Sequence, residues 1–200
     1  MSQRLILFYL LFNTIFLFIP KSYSQVKVKE YSESFKTYDF GDPNPTPIFL
    51  SNTKIYPYFS FDGYSTSPSQ KNYKIIEIEN DFIKVFIAPE IGGKVLGAID
   101  KTSGKDFIYK NEVVKFRNIS MRGPWTSGGI EFNFGIIGHH PSTATPVDYL
   151  IKKNKDGSIS CFVGNIDLPS RTQWRVEIIL YENQASFMTN ALWYNPTSIN

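Results

Sequence analysis

After an apolar run at the N-terminus, hydrophobic positions in this chain recur at every second residue, not every third or fourth. Lys74 to Glu79 alternates charged and aliphatic residues, Asn80-Asp81 supplies a two-residue turn, and Phe82 to Ala88 returns, which predicts a β-hairpin. Phe82, Phe86 and Ala88 fall on one face and Ile83, Val85 and Ile87 on the other, so this strand is expected at the centre of a sheet covered on both sides. Gly92-Gly93 turns the chain into a strand from Lys94 to Asp100, and Thr102 to Lys105 turns it again into Phe107–Tyr109. Further strands are expected at 113–118, 129–135, 146–152, 158–166, 172–181 and 185–194, with hairpin turns at Asp156-Gly157 and Glu182-Asn183. Outside the N-terminal run no stretch keeps helical periodicity for three turns. Short, regularly spaced strands with Gly, Asn and Asp turns predict an all-β fold, an antiparallel β-sandwich or barrel.

Before Tyr73 the pattern is looser. Val26–Tyr31 and Phe35–Phe40 each alternate like short strands. Gly41 to Pro47 carries prolines at 43, 45 and 47, which forbids helix and predicts an extended connector. Ile55–Phe61 is rich in aromatic residues, and Ser65 to Asn72 reads as a polar loop.

The N-terminal run itself extends from Leu5 to Ile19, interrupted only by Asn13-Thr14, and follows a single charge at Arg4. It is shorter than the roughly 20 residues a spanning helix needs. It ends at Pro20-Lys21, and Ser22-Tyr23-Ser24 then places small residues where a signal peptidase reads them. The expected organisation is a signal peptide over 1–24, an extended, aromatic-rich segment over 25–72, and a β-sandwich over 73–200 that continues beyond Asn200. Export to the periplasm, cell surface or medium follows, with no membrane span left after cleavage after Ser24.

That reading changes the charge balance. Of 21 basic residues, Arg4 and Lys21 leave with the leader, so 19 face 18 acidic ones and the chain is close to neutral. The remaining lysines are scattered, and nucleic acid, which needs a concentrated positive surface, is not an expected partner. The one cysteine, Cys161, lies in the apolar run Ser158–Gly164 and is expected in the core. With no disulfide available, roughly 175 residues must hold together through a hydrophobic core, and that length suffices for one.

Candidate chemistry concentrates in Met121–Gly135 and in Gly138-His139-His140-Pro141. In the strand expected there, Ile130, Phe132 and Phe134 share the core side. Glu131 and Asn133 look outward, roughly 7 Å apart. Gly128-Gly129 lets a backbone or ligand approach, with Trp125 upstream and both histidines downstream. A carboxylate, an amide, imidazoles and an indole suit sugar recognition, because hydroxyls need fixed donors and acceptors while the C–H face of a sugar stacks on an aromatic ring. Glu131 and His139 are the candidate acid–base residues. Trp125, Asn133, His140, Arg122 and Arg171 are the candidate substrate contacts. Glu131 could equally pair with Arg122 or a lysine across the sheet. Adjacent His139 and His140 point in opposite directions in extended chain, so at most one is expected in a given site. Their spacing matches no standard metal motif, and neither metal nor cofactor is expected. From Ser170 onward, Trp174, Val176, Ile178 and Leu180 continue a core face. Gln173, Arg175 and Glu177 predict a solvated ladder of cross-strand ion pairs.

Ile87–Asp100, an apolar strand, a proline, a Gly-Gly turn and another strand, resembles the early strands of galactose-mutarotase-like (aldose-epimerase-like) sandwiches. Arg122–Gly135, Gly138-His139, Pro146–Tyr149, Arg171–Glu177 and Trp193–Pro196 more specifically resemble a bacterial domain family of unknown function, numbered five-one-zero-seven. That family occurs at the front of large exported proteins with tetratricopeptide repeats. The resemblance covers about residues 40 to 200. It implies a sandwich related to sugar-binding enzymes and a role in polysaccharide use, with carbohydrate as the partner. It carries over no catalytic residue. The activities it leaves open are glycoside hydrolysis, sugar epimerisation, and carbohydrate binding or a structural role without catalysis.

Overall fold

The computed structural model describes residues 25–41, 63–118, 123–134, 139–167 and 170–198. The expected leader, the proline connector, the aromatic stretch at 55–61 and Arg122 lie outside them. The strands are β1 (Lys27–Tyr38), β2 (Ser69–Glu79), β3 (Ile83–Ala88), β4 (Lys94–Asp100), β5 (Lys105–Ile108), β6 (Val113–Asn118), β7 (Pro124–Thr126), β8 (Asp148–Lys153), β9 (Ile159–Asp167), β10 (Thr172–Leu180) and β11 (Phe187–Tyr194). They form a seven-stranded sheet in the order β5-β4-β3-β2-β1-β6-β7 and a four-stranded sheet in the order β11-β10-β9-β8. All pairings are antiparallel apart from the short parallel contact of β1 with β6. Among the described residues no helix is long and apolar enough to cross a membrane. The fold is an all-β sandwich.

β3 is central and covered on both faces, as its sequence requires. Ile83, Val85 and Ile87 join Ile76 and Ile78 against Ile159, Cys161, Val163, Val176 and Ile178 of the second sheet. Phe86 and Ala88 face a second cluster with Phe35, Tyr73, Ile75 and Phe116. Phe82, expected on the Phe86 side, packs instead against the inter-sheet core, because it sits in the turn before β3 begins. Fully burying one aliphatic side chain contributes about 1.5–3 kcal/mol, so the shared core is what joins the sheets. Cys161 belongs to that core, and burial pushes its thiol up to about 12.

Four expectations need correction. The two strands expected at 26–31 and 35–40 are one, β1, paired along its length with β2 from Lys27↔Glu79 to Thr37↔Ser69. Ser32-Glu33-Ser34 does not break it, since backbone pairing needs no apolar side chain. For the same reason the polar loop expected at 65–72 is already strand from Ser69. The strand expected at 129–135 reduces to an isolated bridge, Val95↔Ile130. Gly128 and Gly129 both take positive φ, 79° and 69°, and fold this segment onto the start of β4. The face assignment survives: Ile130, Phe132 and Phe134 pack against the core. Finally, β7, which carries Trp125, lies in a stretch where no strand was expected.

Gly129 fixes that fold-back. Its N–H donates to the Tyr109 carbonyl, and a Cβ placed on it would lie 2.1 Å from the Val95 carbonyl oxygen. Gly129→Ala should therefore destabilise the domain by about 2 kcal/mol or more, combining positive φ with a backbone collision. Gly104→Ala, where a Cβ would meet nothing, should cost only the φ term. Urea denaturation of both variants checks this; equal losses would contradict the steric account.

Candidate functional site

The Gly92-Gly93 turn delivers Lys94 to the first position of β4, where its side chain is buried, 2% exposed. A buried ammonium must be hydrogen-bonded. Lys94 Nζ donates to the carbonyl of Thr126, at 3.1 Å, and to its hydroxyl, at 3.0 Å. Thr126 ends β7, so this lysine ties the β4 start to the β6–β7 hairpin. Burial pushes Lys94 down to about 8, while the negative charge of Glu131 pulls it back up.

Glu131 follows the glycine fold-back. Its Oε1 accepts from Nδ1–H of His139 at 2.6 Å, and its Oε2 is buried with no hydrogen-bond partner. The pair is mostly sheltered, with side-chain exposures of 14% for Glu131 and 19% for His139. With Nδ1–H committed to a carboxylate, Nε2 of a neutral His139 is left as a bare acceptor. The Trp125 ring lies 6.4 Å from the imidazole and tilted by 60°. The expected gathering of Glu131, His139 and Trp125 is thus present.

The neighbouring histidine is different. His140, 2% exposed, precedes a 3-10 turn at Pro141–Ala144. Its Nδ1 accepts from the Ser142 backbone N–H at 3.1 Å, so Nε2 carries the proton and donates to Asp167 Oδ1 at 2.7 Å. The other Asp167 oxygen accepts from the backbone N–H and the hydroxyl of Ser170. The serine thus bonds the carboxylate and not the imidazole, so these three residues do not form a nucleophile–base relay. His140, expected to touch substrate, has both ring nitrogens consumed inside the protein: it is a structural tie. Burial pushes its imidazole down, and Asp167 opposes the shift. The two histidines do point opposite ways.

Asn133 is exposed, and its Oδ1 accepts from the His140 backbone N–H at 3.2 Å, so it braces the histidine turn. Thr143 fastens the same turn to β7 through a 2.7 Å bond from its hydroxyl to the Pro124 carbonyl. Phe134 stacks on Trp174 at 4.7 Å, and His140 meets Trp174 edge-on at 6.0 Å. Arg171 is exposed and takes φ +58°, with its N–H donating to the Asp167 carbonyl. No contact joins it to Glu131 or His139. Lys94, Thr126 and Asp167 were not among the candidates. Lys94 had a signal, as the one charge in the run Gly93–Ile99; Asp167 had none.

A groove of about 760 Å³ lies elsewhere, on the outer face of the four-stranded sheet, lined by Leu150, Gly164, Ile166, Arg175, Leu192 and Tyr194 among others. On that face Glu177 accepts from Ser160 Oγ and Asn190 Nδ2, in place of the expected ion-pair ladder.

The two sheets define an all-β sandwich domain with a sheltered carboxylate–imidazole pair. The chain belongs to the family described as Domain of unknown function (DUF5107), whose family model matches residues 50–200. A solved structure similar to it is that of a TPR-domain containing protein from Parabacteroides distasonis ATCC 8503. The two are 30% identical with a TM-score of 0.78, over 88% of this chain and 30% of that one. The chain therefore spans less than a third of that protein's length.

The His140 tie makes its own pH signature. In the unfolded chain histidine takes up a proton below about 6.5, whereas the folded state keeps His140 neutral. Stability is therefore full above that pH and is lost as pH falls below it. His140→Ala and Asp167→Ala should each cost about 3 kcal/mol at neutral pH, and the double variant much less than the sum. Urea melts of the four proteins across the acid range check this. The His140→Ala protein should lose stability less steeply on acidification; an unchanged slope would exclude the tie.

Proposed function

We propose that this is the carbohydrate-active domain of an exported protein, and that it takes a sugar at the Glu131–His139 pair beside Trp125. The reading is carried by one observation: a histidine oriented through Nδ1–H by a sheltered carboxylate, leaving Nε2 as a base next to an indole. A base oriented by a carboxylate suits proton transfer to or from a sugar hydroxyl or ring oxygen, and the indole suits the sugar's apolar face. In this reading His139 Nε2 moves the proton and Glu131 holds it in place. Of the other candidates, Arg171 is left as an outer contact, and Arg122 lies outside the described residues.

The chemistry that needs least beyond this pair is exchange at the anomeric carbon. Glycoside hydrolysis needs two carboxyl groups about 5–5.5 Å or 6.5–9.5 Å apart. Asp167, the other buried carboxylate of this region, is consumed by His140 and Ser170. A hydrolytic role would need a second carboxylate other than Asp167. A non-catalytic binding or structural domain of a larger repeat protein is the second reading, favoured by the small share of the TPR-domain protein that the chain spans.

Glu131→Gln and His139→Ala in the full chain should each slow anomer exchange or aryl-glycoside cleavage by about 10²–10⁴-fold. Polarimetry separates exchange from bond cleavage. Sugar binding with turnover unaffected by either variant would leave the binding reading alone standing. Export is tested separately: expressed with its N-terminus in a Gram-negative host, the protein should be recovered from the periplasm beginning at Gln25. A chain retained in the cytoplasm and beginning at Met1 would refute it.

A further inference from the structure

The buried lysine has no part in the chemistry so far, and its placement is costly. Lys94 could have been any aliphatic residue of β4, yet the fold desolvates an ammonium there and spends a threonine carbonyl and hydroxyl on it. Among the described residues no salt bridge accounts for it: the charge of Glu131 favours the ammonium through space. The antiparallel bridge Val95↔Ile130 sets Glu131 across from Lys94, and Glu131 Oε2 is buried and without a hydrogen-bond partner. A carboxylate oxygen without a donor is stabilised by a positive charge nearby. Three titratable groups are linked in sequence here: Lys94 of β4 across the bridge from Glu131, and Glu131 bonded to His139 of the turn beyond. The His140–Asp167 pair behind them is closed on itself.

We propose that Lys94 is a positioning residue of the site, its ammonium pinned on Thr126 and supplying the fixed positive charge that keeps the Glu131–His139 pair at one shared proton, with Nε2 of His139 bare. This rests on the reading of His139 as the base. The proton balance is explicit. With Lys94 charged, the pair holds a single proton, on Nδ1, and Nε2 has a lone pair to offer. Remove that charge and the pair draws one further proton from solvent. The proton ends either as imidazolium beside a carboxylate, or on the carboxyl with the imidazole proton moved to Nε2. In both arrangements Nε2 carries hydrogen and cannot act as a base. The lysine thus acts on the base without touching it.

The chain contains only two histidines, which makes the test direct. Long-range ¹H–¹⁵N spectra of the full chain, without any sugar, distinguish bare from protonated ring nitrogens. At neutral pH the wild-type protein should show two opposite patterns: Nδ1–H with bare Nε2 for His139, and Nε2–H with bare Nδ1 for His140. In Lys94→Met the bare-Nε2 population of His139 should fall about tenfold or more, the size of a neighbouring-charge effect. The His140 pattern, unchanged, reports that the variant is folded. Lys94→Gln, whose amide can still donate to the Thr126 carbonyl, serves if the methionine variant does not fold. Lys94→Arg, which keeps the charge, should restore the wild-type pattern. A His139 that keeps bare Nε2 in a folded, neutral Lys94 variant would overturn the proposal, as would a wild-type His139 protonated on Nε2. None of these spectra depends on a sugar, so a failure of the carbohydrate reading shows in the turnover assays and not here.

Discussion

The buried bond between His140 and Asp167 is the constraint on which the rest of the site depends. Asp167 ends β9 in the second sheet, and His140 opens the turn that follows the glycine fold-back on the first. Between them they join the two sheets at a rim where Phe134 also stacks on Trp174. Apolar packing is non-directional and roughly proportional to area, so it can press two sheets together without setting the rotation of a side chain at their rim. A neutral imidazole with both nitrogens committed sets it. Once His140 is fixed, the extended backbone sends His139 the other way, toward Glu131.

The site divides its polar groups into a closed half and an open half. In the closed half every donor and acceptor of His140 and Asp167 has a protein partner. In the open half Glu131 Oε2 and the outer nitrogen of His139 have none among the described residues. Buried unsatisfied groups are rare in folded proteins and call for an explanation wherever they occur. Glu131 Oε2 is one, and it sits near a desolvated lysine and a half-buried tryptophan. A fold that tolerates these together is giving up stability at that place, as proteins do where a ligand or a reaction later uses what is left unpaired.

Much of the framework was legible in the residues because it rests on period-two alternation. β3 could be placed at the centre of its sheet from its two apolar faces, and the faces of Ile130, Phe132 and Phe134 were assigned correctly even where no strand forms. Gly128-Gly129 was legible as a place of close approach, but its two positive φ angles, which end the ladder at Ile130, depend on β4 lying underneath. β1 was split in two because Ser32-Glu33-Ser34 looks like a break, and only its partner Asn72–Lys74 makes it continuous. In the site, Glu131 and His139 lie close in sequence and their meeting was within reach of a local reading. The ties of His140 to Asp167, 27 residues on, and of Lys94 to Thr126, 32 residues on, are made by topology, and nothing local announces them.

β11 has a consequence of a colloidal kind. It pairs with β10 along one side, and nearly every residue from Phe187 to Tyr194 is exposed, Leu192, Trp193 and Tyr194 by more than half. Among the described residues no strand pairs with its outer margin, which there offers a row of backbone donors and acceptors flanked by large apolar side chains and lacks the lysines and prolines that discourage edge-to-edge pairing. Prepared alone, residues 25–200 would meet copies of themselves along this strand. An apparent melting temperature would then rise with protein concentration and report association as much as folding.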